Sequence, residues 1–480
     1  MGLESYKETG DKGGITVSVA AKIFLLDIEF AGSQVVRVAI NFENTPGPSV
    51  DLAPLAAAIF QETLNPTKRK PSYSKPILPP SLAEFSENLQ RLALTDKLSK
   101  TGLNCFTAIT TIYESLRKIY NHEKESLGHP TALCFGSGYP QMHARRKIGL
   151  SIDYWRSRRT IPVGEDNPDV KRWRVVVEVQ EIPPELSGGV EPVRLPNQWV
   201  SDEIHKPKED NLFGDVEELA IDWLEPPHEE FPDTTGDTSH PRTPPARFSA
   251  RLDPPLTLPL YDEVDPTLTA SFPNHITNPG PLVSLLFPNL EVNQYTNRRV
   301  HIPGGLGEIT HAYRLYSDLK PVYSRTVSEV PFSHPKDLIA AFKVLRQYAL
   351  LETLLASCFS REQVQEDTNH GDGGDLEKEV MDLEAFLAED CVVSVPLRVD
   401  IALLPERAFG IDVAFPLDGD PVHLNIIVER NGELKVMIPE GGLTGVAAGL
   451  DVRAFEKGLR ASEDIPLMIE WFRRSCLGLL

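Results

Sequence analysis

A chain of 480 residues, 41% of them apolar, is long enough to bury a large core and to form about two folding units. Its 41 prolines exceed the usual ~5% share and favour many loops over one compact α/β enzyme. Five scattered cysteines with no CxxC pair point away from a zinc ribbon or a disulfide framework and towards reduced thiols.

The net charge of −21 is local. Residues 201–240 carry 13 acidic and 2 basic side chains and residues 361–390 carry 11 and 2, which leaves −1 for everything else. The acidic pI therefore describes two appendages, not an acidic cleft. No apolar run approaches the ~20 residues of a bilayer-spanning helix and no signal peptide is visible, so no membrane partner is expected. Residues 1–14 are polar and read as a boundary, as if something upstream were missing.

In chain order, residues 15–42 read as a hairpin. Phe24, Leu26, Ile28 and Phe30 alternate on one strand and Val36, Val38, Ile40 and Phe42 on the next, with Gly32-Ser33 at the turn. Three helices follow: Asp51 to Leu64 with Asp51 as cap, one started by the capping-box pair Ser81 and Glu84, and one carrying Phe106, Ile109, Tyr113, Leu116 and Tyr120. Strands are expected at 131–135, 147–154 and 173–182, the first two flanking a turn at 136–140. Residues 183–245 lose periodicity and read as a linker or surface insertion without regular structure. Short strands are expected at 246–260, 282–287 and 308–319, then a strand at 326–332.

Ser333-His334-Pro335 opens a long helix. Leu338, Phe342, Leu345 and Ala349 share one face, and Lys336, Lys343 and Gln347 the opposite one. From Leu350 to Phe359 apolar residues surround the axis, and a helix apolar all round is buried all round. An acidic loop at 361–390, with a helix expected at 376–387, precedes a meander. Its strands alternate at Leu397 to Leu403, Phe409 to Phe415 and Leu424 to Val428, and Asn431-Gly432 turns a type I′ hairpin into 434–438. Helices at 452–459 and 465–474 close the chain.

Strands followed by runs of helices define an α+β protein: two lobes of antiparallel sheets with packed helices, plus acidic disordered insertions. The expected units are an N-terminal lobe (15–182), the insertion (183–245), strands and central helix (246–360), the acidic loop (361–390), and the meander with its closing helices (391–476).

Val330-Pro331-Phe332-Ser333-His334-Pro335, with the run that ends Leu355-Ala356-Ser357-Cys358, resembles the strand, His-Pro, long-helix, Ser-Cys pattern of Mediator of RNA polymerase II transcription subunit 1. The hairpin leaving through Glu43-Asn44-Thr45-Pro46, the Phe85-Ser86-Glu87-Asn88-Leu89 helix, the meander and the ending Ile465-Pro466-Leu467 to Arg473-Arg474 are similar in kind and order, over roughly 15–475. In that family helical sequence precedes the first hairpin, and here the chain starts almost at the hairpin. The resemblance implies a non-enzymatic, nuclear subunit of the Mediator middle module. Its partners would be other Mediator subunits and transcription activators, and it would have no cofactor.

Catalytic signatures (HExxH, P-loop, GxSxG, and GxGxxG after a strand) are missing, so no catalytic, cofactor-binding or metal residue is assigned. Gly304 to Gly307 and Gly441-Gly442 read as turns. Asp372 and Asp375 lack the glutamate of a calcium loop, and His122 and His129 read as solvated. Two LxxLL boxes, 282–286 and 351–355, read as core packing; in animal relatives such boxes bind nuclear receptors as exposed helices. Leu219, Trp223 and Leu224, set among acidic residues, are candidate partner contacts that either fold against a partner groove or pack on their own domain. Residues 145–174 hold nine basic and four acidic side chains. They make Arg145, Arg146, Arg158 and Arg159 candidate contacts for an acidic partner, although a solvated strand rim is the favoured reading and direct nucleic-acid binding is not expected. An enzyme with a cleft between the lobes, or a nucleic-acid-binding module using 145–174, are the competing readings.

Overall fold

The computed structural model describes residues 3–9, 14–43, 52–65, 82–99, 103–157, 171–182, 193–207, 219–226, 246–260, 279–302, 308–316, 321–359, 396–405, 409–443 and 451–478. The acidic loop at 361–390, the helix expected within it, Arg158, Arg159, the capping residues Asp51 and Ser81, and Gly304 to Gly307 lie outside them.

The first sheet is a four-stranded meander of β1 (Glu4–Thr9), β2 (Ile15–Ala20), β3 (Phe24–Ala31) and β4 (Gln34–Phe42). The expected alternation sets its register, with Phe24 opposite Phe42, Leu26 opposite Ile40 and Ile28 opposite Val38. Val36 departs from that pattern. The register shifts between Glu29 and Phe30, and this bulge turns Val36 outward, 56% exposed. The polar start is a strand too, since β1 pairs with β2 along its whole length.

Helices α1 (Ala53–Leu64), α2 (Ala83–Leu98) and α3 (Cys105–Leu127) follow. Asn104 caps α3, its Oδ1 accepting from the amides of Phe106 (2.9 Å) and Thr107 (3.1 Å). Residues 131–135, read as a strand from their apolar run, instead belong to a short helix, α4 (His129–Phe135). Gly128, at φ +82°, ends α3, and Pro130 lies in the first turn of the next helix, where its missing N–H costs nothing.

Six strands form the second sheet: β5 (Tyr139–Ala144), β6 (Lys147–Arg156), β7 (Arg172–Glu181), β10 (Ala246–Pro259), β11 (Gly280–Pro281) and β14 (Tyr323–Phe332), in the order β11-β14-β10-β7-β6-β5. Since β7 and β10 are hydrogen-bonded neighbours, this sheet draws on both sides of the 183–245 stretch. That stretch has structure of its own: β8 (Val200–Pro207) and β9 (Leu219–Trp223) pair as an antiparallel ribbon. Residues 282–287, expected as a strand, form one helical turn, α5 (Leu282–Leu286), between Pro281 and Pro288. A short leucine run bounded by prolines fits either period.

The third sheet runs β12 (Tyr295–His301), β13 (Glu308–Tyr316), β15 (Leu397–Pro405), β16 (Phe409–Leu417), β17 (Asp420–Val428) and β18 (Leu434–Met437). Its pairs are antiparallel except β13 with β15, which run parallel across a connection that contains the central helix α6 (Pro335–Phe359). Helices α7 (Val452–Ser462) and α8 (Ile465–Cys476) close the chain.

Helix α6 packs on strands of the second and third sheets. Leu350, Leu351, Leu354, Leu355, Cys358 and Phe359 are all buried, as expected of the apolar end. The upstream half holds two polar residues inside. Gln347, assigned to the solvent face by periodicity, is buried with Nε2 donating to Val428 O at 2.7 Å. Arg346 is 1% exposed. It donates to the carbonyls of Tyr154 (2.8 Å), Leu133 (3.1 Å) and Gly136 (2.6 Å) and to Asn431 Oδ1 (2.7 Å). Burial lowers its pKa to about 10, which still leaves a cation at neutral pH. Among the described residues no carboxylate pairs with it directly; the Glu123 carboxylate lies one link away, accepting from Ser137 N (2.8 Å) and Oγ (2.9 Å) beside Gly136.

The Asn431-Gly432 turn completes this junction. Both residues have positive φ (63° and 71°), as a type I′ turn requires, and Gly432 faces Trp155 so closely that a Cβ there would lie 2.7 Å from its ring. One buried guanidinium thus ties α4, β6, α6 and the β17–β18 turn together.

Candidate interaction surfaces

The β8–β9 ribbon carries the first group of expected contacts. Leu219 opens β9 opposite Pro207. Trp223 and Leu224 pack back on their own chain. The Trp223 ring stands 5.5 Å from the His334 ring and nearly perpendicular to it, and buried Trp199 meets the same imidazole at 4.8 Å. His334 Nδ1 accepts from Lys336 N (3.0 Å), capping α6, and its Nε2 meets Leu224 O at 3.2 Å. Those two contacts need a neutral ring with hydrogen on Nε2, and burial lowers its pKa accordingly. Lys336 also pairs with Glu225, while Trp199 N donates to Ser115 Oγ (3.1 Å) and Lys118 Nζ to Asp202 (2.9 Å) on the other side. Leu219–Trp223 is therefore a strand pinned between α3 and the start of α6.

Among the described residues, the basic side chains of the 145–174 stretch meet carboxylates of their own chain. Arg145 and Arg146 sit in the β5–β6 turn with φ of 50° and 65°. Arg145 pairs with buried Asp153 (2.8 Å), and Arg146 with Glu62 (3.3 Å) and Glu84. Lys147, Arg91 and Arg251 all converge on Glu87. Burial alone would raise the Glu87 carboxyl, but hydrogen bonds from Lys147 and Arg251 and the charges of Lys147 and Arg91 bring it down to about 2. Arg172 shares Asp153 (3.7 Å), Arg174 holds Asp253 (2.6 Å), and Lys171 holds Glu352 (2.8 Å) over the Trp173 ring. Among the described residues, acids that reach this stretch from α1, α2, α6 and β10 offset its basic side chains. His122 is exposed, as expected, with the His205 ring 4.6 Å away, whereas His129 is half-buried against Tyr120 and Tyr139.

A third surface was invisible in the linear pattern. On the outer face of the third sheet, Arg314 lies between Tyr295 (4.6 Å to the ring centroid) and Tyr316 (4.3 Å), and Arg398 lies over Tyr295 at 5.5 Å. Asp400 fixes Arg314 with two contacts (2.8 and 3.1 Å) and accepts from Tyr295 Oη (3.1 Å). The register Tyr295–Arg314–Asp400 across β12, β13 and β15 builds this ladder from residues that are remote in sequence. Outward alternation along 308–316 was the one legible hint; β12 itself carries no clear strand signal.

Among the described residues no group of His, Cys, Asp and Glu is arranged to hold a metal ion. The prominent features are packed sheets, a pinned ribbon and an aromatic-cationic face. Comparison with known proteins makes the assignment specific. The pattern of the family described as Mediator of RNA polymerase II transcription subunit 1 matches residues 1–360, and the chain belongs to that family. The match starts ahead of the first hairpin and stops before the meander, a different span from the 15–475 of the resemblance. A Schizosaccharomyces pombe protein of the same description is 25% identical over 160 residues, 32% of this chain and 32% of that one. The chain thus matches about a third of the length of this curated relative.

Proposed function

We propose that this chain serves as a non-enzymatic subunit of the nuclear Mediator complex, linking transcription regulators to RNA polymerase II through protein interfaces. Its neighbours would be other Mediator subunits, those of the middle module first, with transcription activators as further partners. Membership of the family over residues 1–360 is the observation that carries this reading. The packing of α6 on strands of two sheets, tied together by buried Arg346, supports it, since such a body presents several separate outer faces. We assign partner contact to the β8–β9 ribbon (Leu219, Trp223 and Leu224) and the β5–β6 corner (Arg145 and Arg146), together with Arg158 and Arg159. The units 15–182, 246–360 and 391–476 would form the ordered body. No helix of the described residues is long and apolar enough to cross a membrane.

Affinity purification of the tagged full chain from nuclear extract, read by mass spectrometry, tests the proposal. Recovery of other Mediator subunits in stoichiometric amounts is expected. Recovery without any of them overturns it. Substituting Trp223 and Leu224 by alanine then asks whether the ribbon takes part; loss of co-purified subunits from a chain that still folds is the expected result, and unchanged co-purification overturns this assignment.

A further inference from the structure

We propose that the outer face of β12, β13 and β15, together with the groove beside Tyr295, docks an acidic peptide in which carboxylates accompany a bulky apolar side chain. Alternation along the strands sends Tyr295, Arg299, Arg314, Tyr316 and Arg398 to this face. Arg314 is already committed to Asp400 and to two tyrosine rings. Arg299 and Arg398 are exposed, and neither makes an ion pair with any described residue. Two unpaired guanidiniums beside a braced Tyr-Arg-Tyr stack are a carboxylate receptor with most of its ordering already done, because a planar fork binds carboxylate oxygens in pairs. Arginine and tyrosine are also the side chains that anchor protein interfaces.

The adjoining groove offers apolar side chains among polar ones such as Asn289, Gln294 and Thr296. It holds about 500 Å³ and is lined by Leu286, Phe287, Leu290, Phe359 and Tyr295 among others, with the Phe287 and Phe359 rings 5.9 Å apart. Tyr295 is the shared wall, so a single extended segment can seat an apolar side chain in the groove and carboxylates on the arginines. Among the described residues β12 is also the edge strand of its sheet, where such a segment could add by main-chain pairing.

A nucleic acid fits less well. The tyrosine faces that bases would stack on are occupied by Arg314 and Arg398. Carboxylates interrupt any phosphate track too: Glu291 lines the groove, Asp400 sits at the centre, and Glu308 faces His301 at 4.0 Å at the far end. The receptor matches one or two carboxylates, not a polyanion.

This inference deepens the proposed function by naming a class of partner, but it is tested on the isolated full chain, so its failure is distinct from a failure of Mediator co-purification. The probe is a short fluorescein-labelled peptide of alternating Glu and Phe, followed by fluorescence anisotropy. Saturable binding that weakens with added salt is expected, as is a loss of roughly tenfold or more in the Arg299→Glu/Arg398→Glu chain, the scale of lost charge-assisted hydrogen bonds. Leu290→Asp should weaken binding independently by charging the groove. Both arginines are exposed, so the double variant should keep the parent's melting temperature; if it does not fold, Arg299→Gln/Arg398→Gln replaces it. Equal binding of a Gln/Phe peptide, unchanged affinity of the arginine variants, or displacement of the probe by single-stranded DNA at equal charge each overturns the proposal. So does a full chain that fails to bind, including a face already covered by its own residues 361–390 or by a second copy.

Discussion

Arg346 and Arg314 are the same side chain put to opposite uses. Arg346 sits at the centre of the molecule, holds three main-chain carbonyls and one side-chain amide, and has no directly paired carboxylate among the described residues. Arg314 lies on an outer face, paired with Asp400 and stacked between two rings, part of it still in water. The first joins segments up to 213 residues apart and cannot leave without orphaning buried acceptors. The second organises a surface and can leave at little cost to the fold. Burial, not residue type, decides whether an arginine is structural.

Breaking the buried side of that comparison should have the largest effect. Arg346→Met keeps the volume but leaves four acceptors unpaired, and a loss of about 3 kcal/mol or more is expected in urea unfolding. Arg346→Lys should recover only part of this, since an ammonium cannot reproduce the fork geometry. Next comes Gly432→Ala. The positive φ and the close Trp155 ring act together, and about 2–3 kcal/mol is expected, with altered tryptophan fluorescence as a second readout.

A third test asks whether the closing helix depends on charge in the same way. Burial would raise the Glu470 carboxyl, but His311, Arg474 and Arg473 bring it down to about 2. A depressed carboxylate pKa contributes stability that is complete above the unfolded value near 4.5 and disappears as the pH falls towards 2. Glu470→Gln should therefore cost about 1–2 kcal/mol at neutral pH, and its stability curve should be flatter than the parent's between those limits. Arg314→Ala is the smallest, about 1 kcal/mol by the same measurement, as expected for a half-buried surface pair with cation–π contacts. An effect as large as that of Arg346→Met would erase the contrast between the two arginines.

Much of this architecture was legible in one dimension. The strand alternation of β3, β4 and the meander, the burial of Leu350, Leu351, Leu354, Leu355, Cys358 and Phe359 (with Glu352, Thr353, Ala356 and Ser357 left half-buried on one stripe) and the Asn431-Gly432 turn are local patterns, and local patterns record which face of an element meets the core. The surfaces were harder. The sequence does not show that Glu62, Glu84 and Asp153 reach Arg145 and Arg146 from other elements, or that the Trp223 ring lies against His334. Nothing near Tyr295 in the chain announces Arg314, Tyr316 or Arg398.

What the amino-acid order determined by itself is the class of fold and the family, because both rest on periodicity and on the succession of short patterns along the chain. Tertiary structure decided which short apolar runs became helices at 129–135 and 282–286, which polar side chains went inside, and which charges stayed unpaired. The physical reason is common to all three. A strand or helix face can be read from neighbours two to four residues away, whereas a buried hydrogen bond or an ion pair depends on a partner supplied by a distant segment, and only the assembled sheets bring that segment into reach.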